Sequence, residues 1–148
     1  MSSENAARIV AEARSYLGTP YHHMADIKGV GIDCALILVR VFCDLGLVPL
    51  FDPRPYTKDW FLHRHEEQYL NHLLAQAREV ERPEPGDVIL SRQGRVYSHG
   101  GIVTQAKPLE IIHAFAPAGC VIEERVSHNA ALAEKLASVK FFRIKAHA

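Results

Sequence analysis

Residues 29–42 read GVGIDCALILVRVF, which sets a cysteine between an acidic residue and a long apolar run. Asp33 is an acceptable helix N-cap, and beyond it Leu36, Ile37, Val41, Leu45 and Leu47 carry an apolar face until Gly46 and Pro49 interrupt it. Cys34 therefore falls in the first turn of a helix. Two readings compete for it. It is a small core thiol in front of ALILV, or it is a nucleophile at a helix start, where backbone N–H groups and the helix dipole favour the thiolate and could hold an oxyanion.

Upstream, Ala6, Ile9, Val10, Ala13 and Leu17 recur at helical spacing, so a first helix is expected from Asn5 to Leu17 with Gly18 as its stop. Residues 19–32, TPYHHMADIKGVGI, read as an ordered loop. Downstream, residues 49–60, PLFDPRPYTKDW, are rich in turn formers and predict a surface excursion. Residues 61–80 predict a third helix, with Leu62, Tyr69, Leu70, Leu73, Leu74 and Ala77 on one side. After ERPEPGD the pattern changes to runs of strand length: VILSR, HGGIVTQ, EIIHAFA, CVIEERV and KFFRIKA. NAALAEKLA, between the last two, suits a short helix or a bent loop. Helices followed by strands give the α+β class, with N-terminal helices packed on a C-terminal antiparallel sheet.

The 148 residues suit one domain spanning 1–148, long enough to bury roughly two-thirds of its unfolded surface. Seventeen Lys and Arg balance seventeen Asp and Glu, so the basic field that nucleic-acid binding requires is missing. The cysteines at 34, 43 and 120 form no CxxC pair, which argues against a zinc site and against a disulfide framework. No cofactor is called for. The N-terminus has no basic segment followed by an unbroken apolar one, so cytoplasmic synthesis without a signal peptide is expected. The longest apolar stretches, ALILV and FAPAGCVI, fall well short of the roughly 20 residues of a membrane span.

A nucleophilic thiol needs a base within reach and a group that orients the base. His99, in SHGGIV, and His113, in EIIHAF, lie on successive expected strands. A hairpin turning around QAKPL and centred on Ala106 makes them direct or diagonal neighbours on one face. Moving the centre by one residue leaves them diagonal, whereas moving it by half a residue sends them to opposite faces. A lone strand histidine is ordinarily structural, so it is the combination with Cys34 that points to a Cys-His pair.

The segments GTPYHH, GIDCALILV, PGDVIL, SHGGIV and IIHAF occur in that order and together resemble the NlpC/P60 cysteine peptidases. Members of that family carry a PY motif, a DC motif opening a helix, a PGD turn into the first strand, a His-Gly-Ile strand and a following His-Ala strand. KGVGIDC and PYTKDW are similar to the phage cell-wall peptidase subgroup, and the resemblance runs from about Ala7 to Lys145. It implies a papain-like fold with Cys34 as nucleophile, His99 as general base and acid, and His113 orienting His99. It also implies Tyr21 beside the thiol at the oxyanion, Asp33 facing a pocket for a free N-terminal amine while capping its helix, and Ser98 among the substrate-binding residues. The implied substrate is the peptide stem of bacterial peptidoglycan, cut next to D-glutamate and the diamino acid. Phage tail proteins are the implied partners, and carriage on a tail or release on lysis would bring the protein to the wall.

One departure bears on substrate preference: Ala35 and Leu36 follow the DC where the family usually has Ser-Gly. Two alternatives stay open. One is a Cys-His-His amide hydrolase or acyltransferase on a non-wall substrate, which predicts a more apolar cleft. The other is a structural phage-tail module with weak or no catalysis.

Several residues are set aside. Cys43 falls on the opposite face of the Cys34 helix, and Cys120 at a strand start, so both read as structural. His63, His65 and His72 accompany many charges. HEEQYLNH is not HExxH, because Tyr69 stands at the second ligand position, and HRH lacks the downstream Ser and Asp of a JAMM site. His22 and His23 suit a polar loop or a substrate contact, Tyr56 and Trp60 a lid or a loop anchor, and Asp87 a turn.

Overall fold

The structure is a computed structural model and describes residues 2–49, 73–93 and 96–145; the side chains of residues 93 and 96–98 lie outside it. The first helix, α1 (Ser3–Arg14), begins two residues earlier than its apolar spacing predicts because Ser2 caps it, the Ser2 hydroxyl accepting from Asn5 N–H at 3.1 Å. Glu4 in its first turn and Arg14 in its last complement the helix dipole, and Ile9, Val10 and Ala13 form the buried stripe. A turn carries the chain into a small antiparallel ribbon of β1 (Asp26–Ile27) and β2 (Gly31–Ile32).

Helix α2 (Leu36–Asp44) buries Leu36, Ile37, Leu38, Val39, Val41 and Phe42, an apolar surface reaching almost all round. Such a helix must be covered on several sides, and this one packs against α1, β1 and β5, with α1 also resting on β5. The strands are β3 (Ala77–Val80), β4 (Val88–Gln93), β5 (Val96–Gln105), β6 (Glu110–Phe115), β7 (Cys120–Arg125) and β8 (Lys140–Ile144). They form one six-stranded sheet in the order β3-β8-β4-β5-β6-β7, with every neighbouring pair antiparallel. The α+β, papain-like arrangement expected of the sequence is the observed one.

The third helix is corrected in part. Only Leu73 and Leu74 are helical among the described residues of the 61–80 segment, and Ala77–Val80 is a strand paired with β8 from Ala77↔Ile144 to Val80↔Phe141. The spacing through Ala77 suits a helix, but the free edge of β8 offers the backbone a ladder that no local pattern reveals. The excursion from residue 50 to 60, with Tyr56 and Trp60, lies outside the described residues, as do His63, His65 and His72.

Alternation divides the sheet into two faces. Val88, Leu90, Ile102, Ile112, Ala114 and Val121 pack with α1 and α2 in the main core. Ile89, Val103 and Ile111 face the other way, under Val126 and Leu132 from the segment holding the short helix α3 (Ala130–Ala133). At the foot of β4, Asp87 is buried. Its carboxylate accepts from Arg143 Nε at 2.9 Å and Nη2 at 2.8 Å, and from Glu84 N–H at 2.8 Å. This bidentate pair ties the PGD turn to β8, so Asp87 is a structural turn residue.

Removing the buried carboxylate leaves the Glu84 N–H without its acceptor and Arg143 Nε without its 2.9 Å partner, with only the exposed Glu84 carboxylate and Arg82 O left to Arg143 Nη2. Asp87→Ala is expected to lower unfolding stability by about 3 kcal/mol in denaturant titrations; a change below about 0.5 kcal/mol would mean the pair behaves as a surface ion pair.

Candidate active site

The chain around Cys34 is held by one carboxylate. Asp33 is 2% exposed; its Oδ1 accepts from Ala35 N–H at 3.2 Å and Leu36 N–H at 2.9 Å, and its Oδ2 accepts from Met24 N–H at 2.8 Å. Ile37 N–H already donates to Asp33 O at 3.1 Å, so the helical turn is wound from Asp33 onward and Cys34 sits at the helix start, as its sequence position predicts. His23 Nδ1 lies 3.8 Å from Asp33 Oδ2. Asp33 is thus a helix cap that also ties down the preceding loop. Tyr21 N–H donates to Gly119 O at 2.8 Å, and Ile32 N–H to Pro20 O at 3.0 Å, which fixes the PY segment between the start of β7 and the thiol.

The two histidines meet through a change of register. Nearest the turn, Gln105 pairs with Glu110, which centres the hairpin midway between residues 107 and 108. That half-residue centre would send His99 and His113 to opposite faces. Thr104 is an extra residue in β5, however, and beyond it Val103↔Ile111 and Ile102↔Ile112 centre the hairpin on Lys107. His113 is then diagonal to His99 on the same face, and His99 Nε2 lies 2.7 Å from His113 Nδ1. A second bulge follows His99: Ser91 pairs with His99 but Arg92 with Tyr97, leaving Ser98 as the unpaired residue. Ser98 lies in β5, with its side chain outside the described set.

Sequence reasoning missed the next member. β6 and β7 pair His113 with Ile122, so Glu124 is diagonal to His113 on the same face, and its Oε2 lies 2.6 Å from His113 Nε2. Asn129 Nδ2 donates to the same oxygen at 2.9 Å, while Asn129 Oδ1 accepts from Leu132 N–H at the head of α3. Phe115 stacks on His113 with ring centroids 4.9 Å apart. The signal for Glu124 was present in the alternation of CVIEER against EIIHAF.

The paired register of β5 with β6 ends at Ile102↔Ile112, and at this end of the sheet lies a cleft of about 280 Å³. Cys34, 7% exposed, comes to it from the helix side. Tyr21, Ser91, His99, Phe115, Leu132 and Lys135 also line it, and His113 stands behind His99. Gly100 lets α2 lie close: a Cβ there would stand 2.5 Å from Leu38 Cδ1. Ala35 and Leu36 are buried in the core rather than in the cleft wall. Cys43 Sγ donates to Pro49 O at 3.3 Å, and Cys120 pairs with Phe115 at the start of β7. No cluster of His, Cys, Asp or Glu suited to a metal occurs among the described residues.

Burial depresses the His99 pKa well below the ordinary 6.5, and neighbouring His113 and Lys135 push it the same way. Burial depresses His113 as well, against the opposing hydrogen bond and charge of Glu124. Both rings are therefore neutral at pH 7. With His99 Nε2 engaged by His113, Nδ1 is the nitrogen left to take a proton from a nucleophile.

No protein-family model and no curated protein matches the chain. Among solved structures it is similar to the NlpC/p60 domain of the peptidoglycan hydrolase SagA, at 23% identity over 93% of this chain and 96% of that one, with a TM-score of 0.59. It is similar to an N-acetylmuramoyl-L-alanine amidase from Bacteroides uniformis, at 13% identity over 97% of this chain and all of that one, with a TM-score of 0.66. A protein of the NLP/P60 family from Staphylococcus aureus, described as similar to lipoprotein, matches at 17% identity and a TM-score of 0.66, over 95% of this chain and 42% of that one. The chain has the NlpC/P60 fold.

A histidine held neutral by the fold takes up its proton more readily when unfolded. Its contribution to stability is present above its unfolded value of about 6.5 and is lost as pH falls below it, by up to about 1.4 kcal/mol per pH unit for each such ring. Denaturant titrations should show a larger loss between pH 7 and pH 5 in the wild type than in His99→Gln. Equal losses would mean that His99 titrates normally.

Proposed function

We propose that this chain is a cysteine peptidase or amidase that hydrolyses amide bonds in the peptide stems of bacterial peptidoglycan. The observation that carries the reading is the shared cleft of Cys34 and His99, with His99 hydrogen-bonded to His113 at 2.7 Å. In the proposed reaction the Cys34 proton passes to His99 Nδ1 and the thiolate attacks the amide carbonyl. The His99 proton then leaves with the amine as the C–N bond breaks, which gives a thioester; water, deprotonated by His99, releases the acid and restores the thiol. Tyr21 and the backbone N–H at Cys34 are the proposed oxyanion donors, and Lys135 offers a cation to a substrate carboxylate. Asp33 near the loop, and Ser98 beside His99, are the proposed further contacts to substrate.

Support for a wall substrate comes from the fold neighbours, which are a peptidoglycan hydrolase domain and an N-acetylmuramoyl-L-alanine amidase. Association with a phage or prophage, with tail proteins as partners and the virion or lysis as the route to the wall, rests on KGVGIDC and PYTKDW and is part of the same proposal. A second reading is favoured by the apolar part of the cleft wall, Ala114, Phe115, Ala116, Pro117 and Leu132: amide or acyl-transfer chemistry on a non-wall substrate.

Digestion of purified muropeptides with mass analysis of the products separates the two. Cleaved stem peptides are expected from the wild type and none from Cys34→Ser; intact muropeptides beside an alkylatable Cys34 would favour the second reading. Iodoacetamide near neutral pH should modify Cys34 much faster than Cys43 or Cys120. Equal rates in the folded protein would remove the case for a special thiol. His99→Ala should cost at least about 10²-fold in turnover while the protein stays folded, and near-normal turnover would assign the base elsewhere.

A further inference from the structure

The buried relay does not end at His113. Three adjoining strands each contribute one side chain to the same face: His99 from β5, His113 from β6 and Glu124 from β7. The two links are 2.7 Å and 2.6 Å long. Each neutral imidazole has one N–H and one lone pair, so a link between two rings consumes a donor from one and an acceptor from the other. A carboxylate can only accept. Glu124 therefore requires the proton of His113 on Nε2, which makes His113 Nδ1 an acceptor. His99 must then donate from Nε2, and its Nδ1 carries the lone pair. Without an acceptor at Nε2, His113 could place its proton on Nδ1 and donate to His99. His99 would then hold its own proton on Nδ1, where it could not accept one from a thiol.

We infer that Glu124 is a positioning residue of the active site, which sets the tautomers of His113 and His99 across two hydrogen bonds and so presents His99 Nδ1 to Cys34 as a base. The carboxylate is itself held in place. Asn129 donates to Glu124 Oε2 at 2.9 Å and is anchored in turn as the cap of α3, whose Ala131 and Leu132 line the cleft. The charge of Glu124 favours a proton on His113, while Lys135, on the cleft wall, disfavours one on His99. The function of such an arrangement is to keep a base oriented for a nucleophile.

The inference rests on Cys34 as the nucleophile, and its test needs no substrate. Ring-nitrogen NMR of protein labelled with ¹⁵N-histidine, with His99 and His113 assigned by single substitution, reports the tautomers directly. The pH profile of Cys34 alkylation by iodoacetamide reports thiolate formation. The wild type should hold His99 as the Nε2–H form. Glu124→Ala should populate the Nδ1–H form of His99, slow alkylation at neutral pH by about 10- to 100-fold and move its profile to higher pH. Glu124→Gln, which keeps an acceptor oxygen, should restore the wild-type tautomer and recover most of the rate, and it serves alone if Glu124→Ala does not fold. A His99 tautomer unchanged in Glu124→Ala, a tautomer lost in folded Glu124→Gln, or an alkylation profile indifferent to Glu124→Ala would overturn the inference. An unreactive Cys34 in the wild type would instead count against the peptidase reading, while the tautomers would still decide the role of Glu124.

Discussion

The site depends on one extra residue in a strand. Thr104 bulges out of the β5–β6 ladder and changes the hairpin centre by half a residue. Because side chains alternate with a period of two, that change decides whether His99 and His113 share a face. With Gln105↔Glu110 extended unbroken along the strands, His113 would lie on the α2 side of the sheet and His99 on the other. The bulge brings the rings together at 2.7 Å, and the regular pairing of β6 with β7 then brings Glu124 to the same face without further adjustment.

The Cys34 thiol reaches this relay from the opposite layer. α2 belongs to the core on one face of the sheet, and the histidines belong to the other, so the two can meet only where the sheet opens. Backbone pairing of β5 with β6 stops at Ile102↔Ile112, and His99 and Cys34 face each other's cleft beyond that point. Gly100 allows Leu38 of α2 to press on β5 one residue from His99. Asp33 settles the other end by tying the helix start to Met24 in the preceding loop. The approach of thiol to imidazole is thus governed by helix-on-sheet packing, and the meeting of the two rings by strand register.

Much of this was legible in the sequence. The apolar face after Asp33 marks a helix start at Cys34, and the strand-length runs from Val88 onward give the sheet. The histidine pairing was legible only as a set of alternatives, because hairpin centring is a non-local quantity and QAKPL does not reveal a bulge at Thr104. Glu124 is harder to read for a different reason: its place depends on a second hairpin across APAG, whose turn is marked by Gly119, left-handed at φ 77°. The local spacing of Ala77–Val80 suits a helix because its true partner, β8, lies about sixty residues away, and local spacing carries no information about an edge so distant.

The position of β8 has a consequence for how the protein is made. It comes last in sequence among the described strands but lies inside the sheet, between β3 and β4. A nascent chain still lacking Lys140–Ile144 has β4 without its outer neighbour, β3 without the strand it pairs with among the described residues, and Asp87 without Arg143. The helices and the β4–β7 meander can form earlier from local contacts, but the sheet closes only after Ile144 has left the ribosome. Until then the two flanks that β8 will join remain open edges, the surfaces most exposed to mispairing with another chain. Closure of this sheet therefore waits for the strand of the six that is made last, after all five of its fellows have been synthesised.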